Sequence, residues 1–164
     1  MIEVRVAHLG LDRDDNSPVV VLQEMNGERV LPIWIGPAEA SAIAMELAGV
    51  KFARPLTHDL LKQIIVGLGA ELSRVNITRV HDNTYFAELM IQRADHIFQV
   101  DARPSDSIAI ALRLKAPIFA DAALLGVTQV TKPREPQEPK ALDPDALKTY
   151  LQNLDPEDFG RFTP

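Results

Sequence analysis

The sequence contains no cysteine, and this excludes several structures and chemistries. Disulfide bridges, thiolate metal sites and cysteine nucleophiles cannot occur, and a reducing compartment is compatible with this composition. Charged residues also interrupt each apolar stretch before the roughly 18 residues that a membrane span requires. The amino terminus alternates apolar and polar residues and lacks the basic start and apolar run of a secretory signal. These absences predict a soluble, cytoplasmic protein without membrane contact.

Runs of basic residues are missing as well. Lysine and arginine number 17 against 23 acidic residues, so the formal net charge is -6 at pH 7. Nucleic-acid binding usually relies on clustered basic side chains that displace the counterions of phosphate. A protein with this balance that acts on nucleic acid therefore needs a basic patch assembled in three dimensions, or a divalent cation. No nucleophile-elbow, P-loop, dinucleotide-binding or HExxH motif supports another common enzyme class.

The first third of the chain has the pattern of β-strands. Apolar residues alternate with polar ones or form short runs, which predicts strands near 2–11, 18–25 and 29–35. The last two flank Asn26 and Gly27, a dipeptide typical of hairpin turns. Trp34, the single tryptophan, is expected either in the core or at a dimer contact.

Two predicted helices follow these strands. Pro37 suits the first turn of a helix that stops at Gly49. Thr57 is expected to cap a second helix, whose apolar stripe ends near Gly67. The order then begins again, with strands predicted at 71–81, 84–92 and 95–102 and a helix in PSDSIAIALRL.

An internal repeat accounts for this recurrence. Sliding the sequence against itself by 67 residues, without a gap, places residues 18–48 on residues 85–115 and Pro37 on Pro104. Each half supplies strands and a helix with an apolar face, so the two halves together complete one core. We therefore predict an α+β domain over residues 1–130, in which a mixed or antiparallel sheet packs against helices. It consists of a duplicated β-β-β-α unit with approximate two-fold symmetry.

The composition changes after Val130. The segment TKPREPQEPKALDP holds four prolines with interspersed charges, and it predicts a linker over 131–142. Residues 143–164 contain a predicted short helix, DPDALKTYLQNL, and a tail. The helix has an apolar stripe formed by Leu147, Tyr150, Leu151 and Leu154. This stripe is expected to dock either on its own domain or on a protein partner.

Carboxylates that could hold Mg²⁺ or Mn²⁺ are the first candidates for chemistry, because such cations assist phosphodiester hydrolysis. Glu39 and Glu46 are seven residues apart on one helix face. Asp106 takes the place of Glu39 in the repeat, and Asp101 lies at a strand end. Glu39 and Asp106 converge if their helices meet near the two-fold axis. Alternatively, each stabilises the first turn of a helix opened by proline.

Two polar clusters hold the other candidates. Arg103 and Ser105 sit at a helix start that could bind phosphate, although Arg103 could instead pair with a neighbouring aspartate. Arg54 could contact phosphate or pair with a carboxylate. His58 is either a general base or metal ligand, or a packing residue. Glu88 needs a partner or a metal if its strand face is buried, and otherwise faces solvent.

The longest motifs of the chain are LPIWIGPAEASAIAMELAG, RPLTHDLL, TYFAEL and DARPSDSIAIALRLKAPIF. Their order and spacing resemble the bifunctional nuclease domain family over roughly residues 3–125, and LQNLDPEDF resembles the tail of shorter bacterial members. The resemblance implies an α+β fold, self-association as a homodimer or higher homo-oligomer, and cleavage of DNA and RNA with little base preference.

Two functional hypotheses follow. The first is a metal-assisted nuclease with His58, Glu39 and Asp106 as catalytic residues. In it the substrate-binding residues are Arg54, Arg103 and Ser105, and the metal ligands are Glu39, Glu46, Asp101 and Asp106. The second is a non-catalytic regulatory or interaction module that self-associates through a sheet edge or helix face.

Overall fold

The computed structural model describes residues 1–12 and 15–126. They belong to a compact unit that spans Met1–Thr128. The predicted linker at 131–142 and the predicted helix within 143–164 lie outside the described residues. Within the described ranges, no helix is long and apolar enough to cross a membrane.

Strands and helices follow one another in the predicted order. The strands are β1 (Ile2–Leu11), β2 (Pro18–Glu24), β3 (Val30–Trp34), β4 (Glu71–His81), β5 (Thr84–Arg93), β6 (His96–Ala102) and β7 (Ile118–Ala120). The α-helices are α1 (Pro37–Leu47), α2 (Thr57–Gly67) and α3 (Pro104–Leu114), and a 3₁₀ turn covers Ala122–Leu124. Pro37 and Pro104 open α1 and α3, where the missing N–H of proline costs no helical hydrogen bond.

The strands form one mixed sheet in the order β3-β2-β1-β7-β4-β5-β6. Only the pairing of β4 with β7 is parallel among the described strands. The predicted α+β class is confirmed. Both β1-β2-β3-α1 and β4-β5-β6-α3 are antiparallel three-strand units followed by a helix, but α2 and β7 do not fit a strict repeat. The duplication and its two-fold symmetry therefore remain predictions.

One face of the sheet carries the core. The register places Val4, Ile118, Val75 and Leu89 side by side across four strands, and all four are buried. They pack in one cluster with apolar residues of all three helices, including Ile108 of α3. Helix α3 contacts α1, α2, β4 and β5, so it is the central helix of the layer. Residues that alternate with the buried row belong to the opposite face, and most of them are partly exposed.

The structure decides three local expectations. The residue before α2 is Leu56, so Thr57 is the first helical residue and not the cap. The Asp59 carboxylate, at the third helical position, accepts the N–H of Leu56 at 3.0 Å, which is the reverse contact of a capping box. Trp34 is 53% exposed and its indole N–H donates to Asp12 at 2.9 Å, which makes the core alternative wrong. Glu88 lies partly exposed on the face opposite the helices.

Candidate functional site

The N-terminal ends of the three α-helices bring three charged side chains and one histidine together, and we call these four residues the Asp106 cluster. His58 Nε2 lies 3.0 Å from Asp106 Oδ1, although 48 residues separate the two in sequence. Arg103 Nε donates to Asp106 Oδ2 at 2.8 Å. The other end of the same guanidinium, Nη2, lies 2.9 Å from Glu39 Oε1. A chain of polar contacts, Glu39 to Arg103 to Asp106 to His58, therefore connects α1, α3 and α2.

Local sequence places each member of the Asp106 cluster. Arg103 is the extended residue between β6 and α3, and its carbonyl accepts the Ser107 hydroxyl at 2.9 Å. The Glu39 carboxylate folds back over Gly36, where a Cβ atom would collide with it. Glycine at this position therefore leaves room for the carboxylate that faces Arg103.

The cluster combines buried and open parts. The His58 side chain is 11% exposed, whereas that of Arg103 is 67% exposed. Burial of Asp106 disfavours its charged form, but the hydrogen bonds from Arg103 and His58 and their positive charge outweigh this, so the pKa of Asp106 is lowered. An ionised Asp106 accepts the Nε2 proton of His58, which assigns the lone pair of a neutral imidazole to Nδ1.

A second network surrounds Arg113, whose side chain is 3% exposed. Its Nε donates to Asp59 Oδ1 at 2.7 Å and lies 3.9 Å from Glu46 Oε2. Its two other nitrogens donate to the carbonyl oxygens of Ala109 at 2.9 Å and of Ala42 at 3.1 Å. One buried guanidinium therefore connects α3 to both α1 and α2.

A cavity of ≈ 330 Å³ lies beside this network, and we call it the basic groove. Its charged lining consists of Glu46, Lys51, Arg54, Asp59, Lys62 and Arg113. Both carboxylates face Arg113, whereas Lys51, Arg54 and Lys62 form no ion pair with any other described residue. The acidic chain thus has a local surface of positive charge. His58 and Asp59, consecutive residues of α2, join the groove to the Asp106 cluster.

The sequence-predicted site residues lie in four different places. Glu39, His58, Arg103 and Asp106 lie in the Asp106 cluster. Glu46 and Arg54 line the basic groove, at a different place from Glu39. Asp101 is paired with Glu88 on the sheet face opposite the helices, so the structure does not bring it to Asp106. Ser105 lies in the first turn of α3 and is 7% exposed as a whole residue.

Sequence reasoning missed Arg113, although one signal pointed to it. In IALRL the arginine interrupts the apolar residues of a helix that faces the core. A buried arginine requires a carboxylate or carbonyl partner, so such a position indicates an internal ion pair. The partner, Asp59, lies 54 residues away, and this separation explains why the sequence does not identify it.

The lowered pKa of Asp59 predicts a stability that depends on acid pH. Burial raises this pKa, but the hydrogen bonds from Arg113 and the Leu56 N–H and the charges of Arg113 and His58 lower it overall. The folded state therefore binds the Asp59 proton more weakly than the unfolded state does. The resulting stabilisation is complete above the unfolded pKa of about 3.9 and is lost as the pH falls through the folded value.

Urea unfolding between about pH 6 and pH 2 tests this dependence. We expect Asp59→Asn to be less stable than the wild type at neutral pH and to lose less stability on acidification. Asp82→Asn is the matched control, because Asp82 is an exposed turn residue with φ 48° where asparagine fits equally well. An Asp59→Asn variant that keeps the full acid dependence of the wild type would contradict the assignment.

Comparisons with known proteins agree with this geometry. Residues 20–133 match the family model of the bifunctional nuclease domain. An uncharacterized protein of Mycobacterium tuberculosis is 42% identical over 97% of this chain and 98% of its own length. Bifunctional nuclease 1 of Arabidopsis thaliana and bifunctional nuclease 2 of Oryza sativa are each 34% identical over 62% of this chain. The matched segment covers 32% and 33% of those two plant proteins. The chain belongs to the bifunctional nuclease domain family.

Proposed function

We propose that this chain is a nuclease that hydrolyses phosphodiester bonds of DNA and RNA with little base preference. The observation that carries the proposal is the Asp106 cluster, in which a histidine held by a carboxylate lies beside an exposed arginine and adjoins the basic groove. The names of the plant relatives, bifunctional nucleases, support the same activity. The groove supplies the local positive charge that the overall charge of -6 lacks.

His58 is the proposed general base. The carboxylate of Asp106 orients the imidazole through Nε2 and leaves Nδ1 to accept a proton from the attacking water. Arg103 is mostly exposed and carries a fixed charge, so it can stabilise the negative charge that develops on the phosphate oxygens. Lys51, Arg54 and Lys62 are the proposed contacts to neighbouring phosphates of the strand.

Mg²⁺ or Mn²⁺ is the proposed cofactor. Among the described residues, no group of three or more histidine, aspartate and glutamate side chains is spaced to hold a metal ion. Mg²⁺ commonly binds through one or two carboxylates, with substrate phosphates and water completing its shell. Arg103 lies between Glu39 and Asp106, so one of these carboxylates, and not both together, would hold the ion in this way. The bound ion would supply further charge stabilisation at the phosphate.

The test is an assay of the purified full chain on single-stranded DNA and RNA with Mg²⁺, Mn²⁺ or EDTA. We expect both substrates to be cut with a metal and neither with EDTA. A Lys51→Gln, Arg54→Gln, Lys62→Gln variant should raise KM and flatten its dependence on salt, because fewer counterions are released on binding. The matched control removes the same charge from the exposed strand residues Arg5, Arg74 and Arg93.

Two outcomes would overturn the nuclease proposal. One is the absence of cleavage under every metal condition. The other is an activity that a further purification step separates from the protein. A groove variant with the same KM as its control would contradict the groove assignment alone.

The alternative function is a non-catalytic regulatory or interaction module that self-associates. The specific observation in its favour is exposed apolar surface: Ile97, Phe98 and Val100 on the edge strand β6, and Leu60 and Ile64 on α2. Edge strands with unpaired backbone groups readily accept a further strand. Light scattering in parallel with the assay separates the two functions, because a stable homo-oligomer that cuts no substrate supports the module. The predicted C-terminal helix would be its site for a protein partner.

A further inference from the structure

Three oxygen-bearing side chains lie in a row across β4, β5 and β6, on the sheet face opposite the helices. The register pairs Asn76 with Glu88, and Glu88 with Asp101. Directly paired residues of antiparallel strands point to the same face, with Cβ atoms about 4.5–5.5 Å apart. We call these three residues the acid-amide row.

Strand β4 contributes a buried acceptor, the side chain of Asn76, to this row. Asn76 is 9% exposed, and its Oδ1 has no hydrogen-bond partner in the part of the chain that the structure describes. Its neighbours on the same face are Glu88 on one side and Phe119 on the other, and the phenyl ring of Phe119 offers no donor. A buried oxygen of this kind is normally satisfied by water or by an ion.

Among the described residues, the carboxylates of Glu88 and Asp101 also lack a positively charged partner. Glu88 and Asp101 are directly opposite each other, and like charges in this position destabilise a sheet. Neither forms an ion pair with any residue of the described ranges. Two arginines of β4 lie nearby: the Arg79 guanidinium stands 4.2 Å from the centre of the Phe86 ring, and Arg74, which is paired with Met90 on the same face, forms no ion pair with Glu88 or Asp101.

We propose that the acid-amide row binds a divalent cation of the hard, oxygen-seeking class, with Ca²⁺ as the best fit. A cation there is coordinated by the amide oxygen of Asn76. It also neutralises the facing carboxylates of Glu88 and Asp101. Ca²⁺ takes amide and carboxylate oxygens in flexible geometry, whereas Mg²⁺ demands near-octahedral ligands that a row across a sheet cannot supply alone. Strand β6 is an edge strand and Asp101 is exposed, so the cation reaches the row from the Asp101 side.

This site is separate from the Asp106 cluster. The row lies on the face of the sheet that the helices do not pack against, whereas the cluster is built from helix termini on the other face. Binding of the cation therefore stabilises the β4-β5-β6 edge of the sheet and does not depend on nuclease activity.

Calorimetric titration of the full chain with CaCl₂ tests the proposal, with the Ca²⁺-induced rise in Tm as a second measurement. We expect one site in the wild type and binding weakened by about tenfold or more in Glu88→Gln and in Asp101→Asn. Glu3→Gln is the matched control, since Glu3 shares the face but is paired with Phe119, beyond Asn76. Glu39→Gln should also retain binding.

The variants that lose Ca²⁺ should remain folded by circular dichroism, because each replaces a repelling charge with a neutral isostere. The proposal is overturned if the wild type shows no Ca²⁺ binding, or if Glu88→Gln and Asp101→Asn bind as tightly as Glu3→Gln. It is equally overturned if Glu39→Gln abolishes binding while the two row variants retain it.

Discussion

Replacing Arg113 by leucine is expected to lower the free energy of unfolding by about 3–5 kcal/mol, the usual cost of removing one partner of a buried ion pair. The guanidinium is almost completely buried and is bound by Asp59 and two backbone carbonyls. Leucine leaves the partly buried Asp59 carboxylate without its counterion and the contact between α1 and α3 without its hydrogen bond. Urea unfolding followed by circular dichroism measures the loss.

The matched control is Arg29→Leu. Arg29 forms an ion pair with Glu24 at 2.9 Å across the turn between β2 and β3, and its side chain is 33% exposed, against 3% for Arg113. Exposed pairs contribute little, because water and salt already screen their charges. Similar losses in the two variants would show that Arg113 does not have the connecting role assigned to it.

The second large effect is expected at the Asp106 cluster. If His58 is the general base, His58→Ala should lower kcat by about 10²–10⁴-fold while KM changes little, because the imidazole acts on the water and not on the bound strand. Asp106→Asn should also lower kcat, since an amide neither fixes the His58 tautomer nor balances Arg103. Initial rates at saturating single-stranded DNA measure both effects.

A structural role for His58 would also lower activity, so the experiment needs a readout that separates the two roles. Added imidazole should restore part of the kcat of His58→Ala if the missing group is a base, and should not restore activity lost through misfolding. His81→Ala is the control, because the exposed imidazole of His81 pairs only with Asp82 among the described side chains. A His58→Ala variant as active as this control would exclude His58 from the reaction.

Much of the fold was predictable because its signals are local. Alternating apolar residues predicted six strands, and proline at the first helical position predicted where α1 and α3 begin. One error was also local. Thr57 resembled a cap, but Leu56 takes the cap position, and the Asp59 carboxylate accepts its N–H. Strand β7 has only three residues, Ile118–Ala120, which is too short for a periodic pattern to reveal.

The candidate site was predictable only as a collection of residues. The sequence indicated Glu39, His58, Arg103 and Asp106 separately, each with a structural alternative. It did not indicate that Arg103 lies between the two carboxylates and prevents their direct contact, nor that Asp101 points to the other face. Arg113 was missed because its burial depends on three helices that meet far apart in sequence.

The sequence by itself determined the α+β class, the element order and the resemblance to the bifunctional nuclease domain family, because periodicity, turn residues and helix-opening prolines act over a few residues. Only the tertiary structure decided which charges meet. The contact of His58 with Asp106, the burial of Arg113 and the pairing of Glu88 with Asp101 result from helix packing and strand register. Packing and register depend on contacts between residues distant in the chain. Local sequence patterns do not predict these contacts.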